Sequence, residues 1–233
     1  MDFKDRHVVV TGGTGALGTA VLDVLLQAGA ICHVPCRSEQ VKAGYPHRGS
    51  QRVSFVATGD LADEGNVTRF FDGLPHLWAS IHLAGSYAAA PIARSDRAML
   101  MQQLETNLVS AYLCSRAAAT TLRRLGAGGR IVNVAARQAL EHRLGAGSVA
   151  YTVAKAGVAT LTTALGAELA ADDILVNAVA PSIMDTAANR QAMPKADFAA
   201  WPKVGDVATA ILFLASPANT VTRGAIVPVY GKT

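Results

Sequence analysis

The sequence has few charged residues, few aromatic residues and no long apolar run. Charged residues make up 16% of the 233 residues and aromatic residues 6%, whereas hydrophobic residues make up 51%. No uninterrupted apolar stretch approaches the roughly 20 residues of a membrane-spanning helix, which argues against a membrane partner. Residues 1–6 are mostly polar and lead directly into a strand-like run. We therefore expect no signal peptide and a cytoplasmic protein.

Cysteines are also few, and basic residues are not clustered. Cys32, Cys36 and Cys114 form no Cys-x-x-Cys motif and no even set, so we expect reduced thiols and no bound metal. The net charge of +4 comes from basic residues scattered along the chain, with Arg123-Arg124 as the densest pair. This scatter argues against a nucleic-acid-binding protein.

Glycine is concentrated in the turn that follows the first strand-like segment, residues 7–10. Residues 11–18 read TGGTGALG and satisfy the pattern G-x-G-x-x-G, and residues 19–28 have a helical pattern. Strand, glycine turn and helix in this order predict a dinucleotide site. Glycines let the backbone approach a pyrophosphate, and a helix N-terminus offers free N–H groups to it. The predicted contacts are Gly12, Gly13, Thr14, Gly15, Ala16, Leu17 and Gly18.

The second strand-like segment, residues 30–35, is followed by Cys36-Arg37-Ser38. In an NAD site an acidic residue about 20 residues past the glycines binds the ribose 2′-OH. This chain has no acid at that place, and Glu39 lies one or two positions too late. Arg37 and Ser38 are instead suited to a 2′-phosphate. The sequence therefore predicts NADP(H) in preference to NAD(H), with an ordinary exposed loop arginine and NAD(H) use as the alternative.

The segment from Tyr151 to Lys155 carries a candidate catalytic pair. Residues four apart lie on one face of a helix, so the Tyr151 hydroxyl and the Lys155 ammonium can reach one pocket. A nearby cation favours the phenolate and lowers the tyrosine pKa from its usual value of about 10. Tyrosine and lysine at this spacing also occur on solvent-facing helices. The glycine motif near the start of the chain favours the catalytic interpretation here.

Strand-like and helix-like segments alternate along the chain without a linker. Further strands are predicted at residues 53–57, 78–83, 130–134, 174–180 and 225–230, and helices at 66–74, 95–125, 149–171 and 204–215. This alternation predicts one α/β domain over residues 1–233, with a doubly wound parallel sheet of about seven strands and helices on both faces. Residues 182–200 lack strong periodicity and are predicted to form a substrate lid loop.

Six segments in this order resemble the short-chain dehydrogenase/reductase family over nearly the whole chain. They are residues 11–18, Asp60-Leu61, residues 82–85, Thr106-Asn107, Tyr151 with Lys155, and residues 177–186. The resemblance implies a Rossmann fold and hydride transfer between a nicotinamide C4 and a carbonyl, quinonoid or imine-type small molecule. It also implies a homodimer or homotetramer that pairs through the helices predicted at 95–125 and 149–171.

The resemblance assigns roles to individual residues. Tyr151 would be the general acid or base, Lys155 would lower its pKa and hold the nicotinamide ribose, and Asn107 would fix a water in a proton relay. Further cofactor contacts implied by the family's pattern are Asp60, Leu61, Ala84, Gly85, Pro181, Ile183 and Thr186.

Three departures from the family's pattern are visible. The glycine motif has Gly15-Ala16 where the commonest members place the middle glycine one residue later, and His82-Leu83 replaces two asparagines. Members also usually end the fifth strand with a serine that hydrogen-bonds the substrate carbonyl. Here Ala135-Ala136 ends that strand, and the following loop reaches residue 148 before it contains a hydroxyl.

Loss of one such donor typically costs about 10²–10³ in rate. We therefore expect either that Ser148 or Gln138 replaces the serine, or that the reaction of the substrate depends less on a hydrogen bond from that position. The residues predicted to line the substrate pocket are Ala136, Gln138, His142 and Ser148.

The dihydropteridine-reductase-like branch of the family also carries alanine at that place, within a stretch that resembles residues 135–140. That branch uses NADH and has an acid after its second strand, which Cys36-Arg37 does not supply. The sequence thus predicts an NADP(H)-dependent short-chain oxidoreductase related to this branch. Two alternatives stay open: an NADH-dependent pteridine-type reductase, and a dinucleotide-binding sensor or scaffold with weak or no turnover. The missing serine favours the sensor, and the retained trio of Asn107, Tyr151 and Lys155 opposes it.

Overall fold

The computed structural model describes residues 1–38, 41, 44–126 and 128–233. Its seven strands are β1 (His7–Thr11), β2 (Ile31–Cys36), β3 (Val53–Ala57), β4 (Ala79–His82), β5 (Gly129–Val134), β6 (Ile174–Pro181) and β7 (Ile226–Val229). They form one parallel sheet in the order β3-β2-β1-β4-β5-β6-β7. The predicted doubly wound sheet of about seven strands is confirmed.

Helices cover both faces of this sheet. They are α1 (Ala16–Gln27), α2 (Glu64–Asp72), α3 (Arg97–Gln103), α4 (Ser110–Leu125), α5 (Val149–Glu168), α6 (Ala187–Ala192) and α7 (Val204–Ala215). Helices α1 and α7 pack together on one face, whereas α2 and α4 pack together on the other, which α5 also covers. None of the described helices combines the length and the apolar character needed to cross a membrane.

The two faces of the sheet form separate hydrophobic cores. Val8 and Val10 of β1 pack in the core beneath α1 and α7, whereas Val9 between them packs in the core beneath α2 and α4. Successive side chains of a strand point to opposite faces, so a sheet covered on both sides needs apolar residues at every position. This requirement explains why apolar residues dominate the strands, whereas Ser80, His82 and Asn133 are buried polar exceptions on β4 and β5.

The helix predicted at 95–125 is not regular throughout. It begins after Asp96, whose side chain accepts a hydrogen bond from the Met99 N–H at 2.9 Å. Between α3 and α4 the backbone forms a π-helical turn, Leu104–Val109, which contains Asn107. Such turns are rare and are often found at functional sites. Gly126 ends α4 in the left-handed conformation that helix C-termini favour.

The segment predicted as a lid loop, residues 182–200, contains regular structure. Helix α6 begins at Thr186, whose hydroxyl accepts a hydrogen bond from the Asn189 N–H at 3.1 Å. Arg190 pairs with Asp185 through two hydrogen bonds of 2.6 and 2.8 Å and lies over the Phe198 ring. The expectation of an irregular loop was wrong, because these contacts between side chains stabilise a short helix that periodicity does not reveal. Its role as a lid stays a prediction.

Candidate active site

A cleft of about 590 Å³ opens at the carboxyl ends of the strands, beside β1, where the order of the chain through the sheet reverses. Ligands of open α/β sheets bind at this place. Predicted residues from four strands line the cleft: Gly12 and Thr14 after β1, Arg37 and Ser38 after β2, Asp60 and Leu61 after β3, and Ala84 and Gly85 after β4. The fold thus brings together segments that lie far apart in the sequence.

The glycine turn packs closely against neighbouring backbone. Gly12 has φ +65°, and a Cβ there would lie 2.8 Å from the Ala84 nitrogen. A Cβ on Gly18 would collide with the Gly12 carbonyl oxygen. Gly15 precedes α1, and no side chain caps the free N–H groups of that helix. A close backbone turn and an uncapped helix start fit a pyrophosphate.

Arg37 and Ser38 are exposed at the cleft, as the prediction of a 2′-phosphate site requires. Glu39 lies outside the described residues. Sequence reasoning missed Tyr45, which also lines the cleft and whose hydroxyl donates a 2.7 Å hydrogen bond to the Gly13 carbonyl. Tyr45 lies in a segment without periodicity, and the contact that places it spans 32 residues. No local pattern could have indicated it.

Gly85 connects the cleft with the predicted catalytic residues. A Cβ at Gly85 would lie 2.6 Å from Asn107 Oδ1 and 3.6 Å from Lys155 Nζ. Lys155 is buried, and its ammonium donates a 2.8 Å hydrogen bond to the Val134 carbonyl at the end of β5. Burial lowers the pKa of Lys155 to about 8. Gly85, which lines the cleft, therefore packs directly against both residues.

Asn107 is hydrogen-bonded to the segment that follows β4. Its Oδ1 accepts a hydrogen bond from the Ser86 N–H at 3.2 Å, and its Nδ2 donates to the Ser86 carbonyl at 2.9 Å. The same Nδ2 also lies 3.1 Å from the Gln103 carbonyl. Both ends of the amide are thus engaged by protein groups. The predicted role of Asn107 in holding a water stays a prediction.

Tyr151 lies beside Lys155, but its pKa does not fall. Lys155 Nζ is 5.9 Å from the centre of the Tyr151 ring and is bonded elsewhere. Burial raises the pKa of Tyr151 to about 12, and the neighbouring Tyr87 raises it further in the same direction. The expectation that Lys155 lowers this pKa is wrong for this arrangement, because burial removes the phenolate from water and the Lys155 ammonium is hydrogen-bonded to the Val134 carbonyl.

The Tyr151 side chain is half-buried, and its hydroxyl makes no hydrogen bond with a described residue. A protonated phenol with a free hydroxyl can donate a proton to a molecule held against it.

Nine residues predicted to contact the cofactor are not among those that line the cleft in the described structure. Six of them are Gly13, Gly15, Ala16, Leu17, Gly18 and Lys155, and the other three lie at or beyond the end of β6. Pro181 is buried at the end of β6, Ile183 is exposed beyond it, and the Thr186 hydroxyl caps α6. The resemblance implied these contacts from a motif, and the structure places the residues on the segment that leads into α6.

The predicted substrate-pocket residues differ in accessibility. Ala136 is buried, Gln138 is half-buried, and His142 is exposed with its Nδ1 3.1 Å from the Gln138 carbonyl. Ser148 is buried, and its hydroxyl donates to the Gly145 carbonyl at 3.4 Å. Ser148 is therefore not available to replace the missing serine, contrary to that expectation.

Comparison with known proteins agrees with this arrangement. Residues 6–197 match the family model described as short chain dehydrogenase. The chain is 34% identical to cis-4-hydroxycyclohexanecarboxylate dehydrogenase of Sinomonas cyclohexanicum, over 98% of this chain and 96% of that protein. It is 32% identical to galactitol 2-dehydrogenase of Rhizobium johnstonii, over 96% and 93% of the two chains.

Two solved structures share the fold along the whole domain. A short-chain type dehydrogenase/reductase from Mycobacterium ulcerans superposes with a TM-score of 0.89 at 26% identity, covering all of this chain and 90% of that one. The structure described as ElxO with NADP bound superposes with a TM-score of 0.87 at 23% identity, covering 97% and 98% of the two chains.

Proposed function

The chain belongs to the short-chain dehydrogenase family, and on this premise we propose that it is an NADP(H)-dependent oxidoreductase. It transfers hydride between the nicotinamide C4 and a carbonyl, quinonoid or imine-type carbon of a small molecule. One observation carries this proposal: Gly85, which lines the dinucleotide cleft, packs against Asn107 and Lys155, and the Tyr151 ring lies beside Lys155. A pure binding protein has no need of that arrangement.

The cofactor choice is supported by the charges at the cleft. Arg37 supplies a cation at its edge, and Asp60 is the one acidic residue among the described residues that line it. Asp60 accepts a hydrogen bond from the Ala62 N–H at 3.0 Å and so serves the turn after β3. When bound, the cofactor supplies the hydride. Arg37 and Ser38 would hold its 2′-phosphate, and the first N–H groups of α1 its pyrophosphate.

The proton is the chain's own contribution to the reaction. With its pKa raised to about 12, Tyr151 is protonated at neutral pH. Its hydroxyl therefore donates a proton to the substrate oxygen or nitrogen, which suits reduction. Lys155, with a pKa lowered to about 8, is mostly charged at pH 7 and places positive charge beneath the reacting groups.

The size and type of substrate are supported by the relatives. Both curated relatives are named as dehydrogenases of small hydroxylated molecules, one a cyclic carboxylate and the other a polyol. A comparable carbonyl or alcohol is therefore the first class to test with this chain.

One observation favours the alternative of a dinucleotide-binding sensor. Ala135 and Ala136 follow β5 with exposed fractions of 1% and 4%, and the Ser148 hydroxyl donates to the Gly145 carbonyl. The usual serine donor is thus absent, and the half-buried Gln138 is the replacement candidate that this loop still offers. The arrangement of Tyr151, Lys155 and Gly85 still favours the enzyme.

The test is a panel of small ketones, quinones and imines with NADPH, followed by the loss of NADPH absorbance. We expect turnover of at least one class, with the cyclic ketones among the first candidates. Stabilisation by NADPH without any turnover would favour the sensor, since a ligand at 100 times its Kd stabilises by about 2.7 kcal/mol.

A further inference from the structure

A second tyrosine contacts Tyr151. The ring of Tyr87 packs edge to face against that of Tyr151, with ring centres 4.9 Å apart and planes at 81°. The Tyr87 side chain is 63% exposed, so most of its surface stays open to an incoming molecule. None of the hydrogen bonds that fix this segment uses the Tyr87 hydroxyl; they are made by the preceding residue, Ser86.

Ser86 fixes the position from which Tyr87 projects. Its backbone exchanges two hydrogen bonds with the Asn107 amide, of 3.2 and 2.9 Å. Its hydroxyl lies 2.9 Å from the Thr106 hydroxyl and accepts from Gln103 Nε2 at 3.3 Å. Asn107 and Thr106 belong to the π-helical turn, and Gln103 immediately precedes it. The exposed Tyr87 is therefore held by a rigid anchor.

Ala135 and Ala136, which follow β5, offer no hydroxyl to a substrate oxygen beside Tyr151. A substrate oxygen that gains a proton from Tyr151 develops negative charge, and a second hydrogen-bond donor stabilises that charge. Ala135 and Ala136 offer no donor, and Ser148 is directed towards the Gly145 carbonyl. Tyr87, in the segment that follows β4, places a hydroxyl-bearing side chain against the Tyr151 ring.

Resting on the proposed function, we propose that Tyr87 is a second catalytic tyrosine, whose hydroxyl hydrogen-bonds the substrate oxygen in place of the serine that β5 lacks. Tyr87 keeps its own proton throughout, because Tyr151 supplies the proton that the product oxygen gains. Because Tyr87 follows β4, a search for the missing serine near β5 does not find it.

The test compares Tyr87→Phe, which removes only the hydroxyl, with Tyr87→Leu, which also removes the ring. Tyr112→Phe, at a tyrosine of α4 that is 51% exposed, is the matched control. We expect kcat on the best substrate of the panel to fall by about 10²-fold in Tyr87→Phe, the usual loss for one such donor. NADPH affinity should stay unchanged, and Tyr112→Phe should retain the parent kcat.

One outcome would overturn the inference and leave the proposed function standing: full kcat in Tyr87→Phe together with a slow Tyr87→Leu, which would assign Tyr87 a packing role. A parent protein that reduces nothing in the panel would instead contradict the proposed function.

Discussion

Burial acts on the catalytic pair in opposite directions. It raises the pKa of Tyr151 to about 12 and lowers that of Lys155 to about 8, so each side chain is shifted towards its neutral form. A tyrosine and a lysine at this spacing suggested only that the cation would favour the phenolate. The burial of the two side chains decides the direction of each pKa shift, and the spacing of residues in the sequence does not reveal burial.

Substitution of Arg37 tests the predicted preference for NADPH over NADH most directly. A guanidinium binds a 2′-phosphate through charge-assisted hydrogen bonds, whereas a carboxylate repels the phosphate and accepts from a ribose 2′-OH. We predict that the parent protein binds NADPH more tightly than NADH, and that Arg37→Asp reverses or erases the difference. Arg94→Asp, an exposed arginine that does not line the cleft, should leave the preference intact. Calorimetric Kd values that are equal for both cofactors in the parent would contradict this account.

At the scale of elements, a buried polar network joins four of them. His82 and Ser80 of β4 are hydrogen-bonded through His82 Nε2 at 2.8 Å, and His82 Nδ1 lies 2.8 Å from Asn133 Oδ1 on β5. Asn133 Nδ2 in turn donates to Thr162 of α5 at 3.0 Å, and Ser115 of α4 lies 3.3 Å from His82 Nδ1. Because Asn133 Oδ1 must accept, His82 carries its proton on Nδ1 and is neutral.

This network makes the stability of the fold depend on pH. Burial lowers the pKa of His82 from 6.5 to about 4, so the stabilisation is complete above pH 6.5 and is lost as the pH falls towards 4. With one pKa unit worth about 1.4 kcal/mol, the loss reaches about 3 kcal/mol. We predict that the free energy of unfolding, measured in urea, falls between pH 7 and pH 5. His82→Asn should reduce this fall.

A part of the pH dependence should remain in that variant. Burial also lowers the pKa of His33 to about 4, and its Nε2 lies 2.9 Å from His7 Nδ1 at the opposite end of the sheet. An unchanged pH dependence in His82→Asn would show that His82 is not the titrating group. If His33→Asn and the parent showed the same pH dependence of the free energy of unfolding, His82 alone would account for it.

The elements that sequence reasoning found are those whose signals are local. Apolar stretches bounded by turn residues predict the strands, since a sheet covered on both faces needs mostly apolar residues. Helix α6 depends on contacts between particular side chains of its own segment, which periodicity does not reveal. The positions of Asn107 and Tyr45 follow instead from contacts that span 21 and 32 residues. Tyr87 was missed for the same reason, because only the fold brings β4 and α5 together there.

At the scale of the whole molecule, helix α5 carries an exposed face of mostly apolar and small side chains. Its exposed positions are Val149, Val153, Thr160, Thr163, Ala164, Ala167 and, at its C-terminal end, the charged Glu168, and its single lysine is buried. Exposed apolar side chains at helical spacing favour a contact with another protein surface. We propose that copies of this chain pair through α5, and the predicted homodimer or homotetramer remains the expected assembly.

Val153 lies on that face and is 49% exposed, so a charge there would have to be buried on association. We predict that Val153→Asp yields monomers or weakens the assembly, as measured by light scattering at micromolar concentration. Val221→Asp is the control, because Val221 is 85% exposed in the turn region before β7. A parent protein that is already monomeric would contradict the proposed assembly.

The central claim, that Tyr151 donates the proton in an NADP(H)-dependent reaction, has its most direct test in Tyr151→Phe. The substitution removes the hydroxyl and keeps the ring that packs against Tyr87. NADPH affinity should stay close to that of the parent, because the cleft residues are untouched. Single-turnover reduction of the best substrate should slow by about 10²–10⁴, the range expected for losing general acid catalysis. Full turnover in Tyr151→Phe would contradict the account and place the proton donor elsewhere.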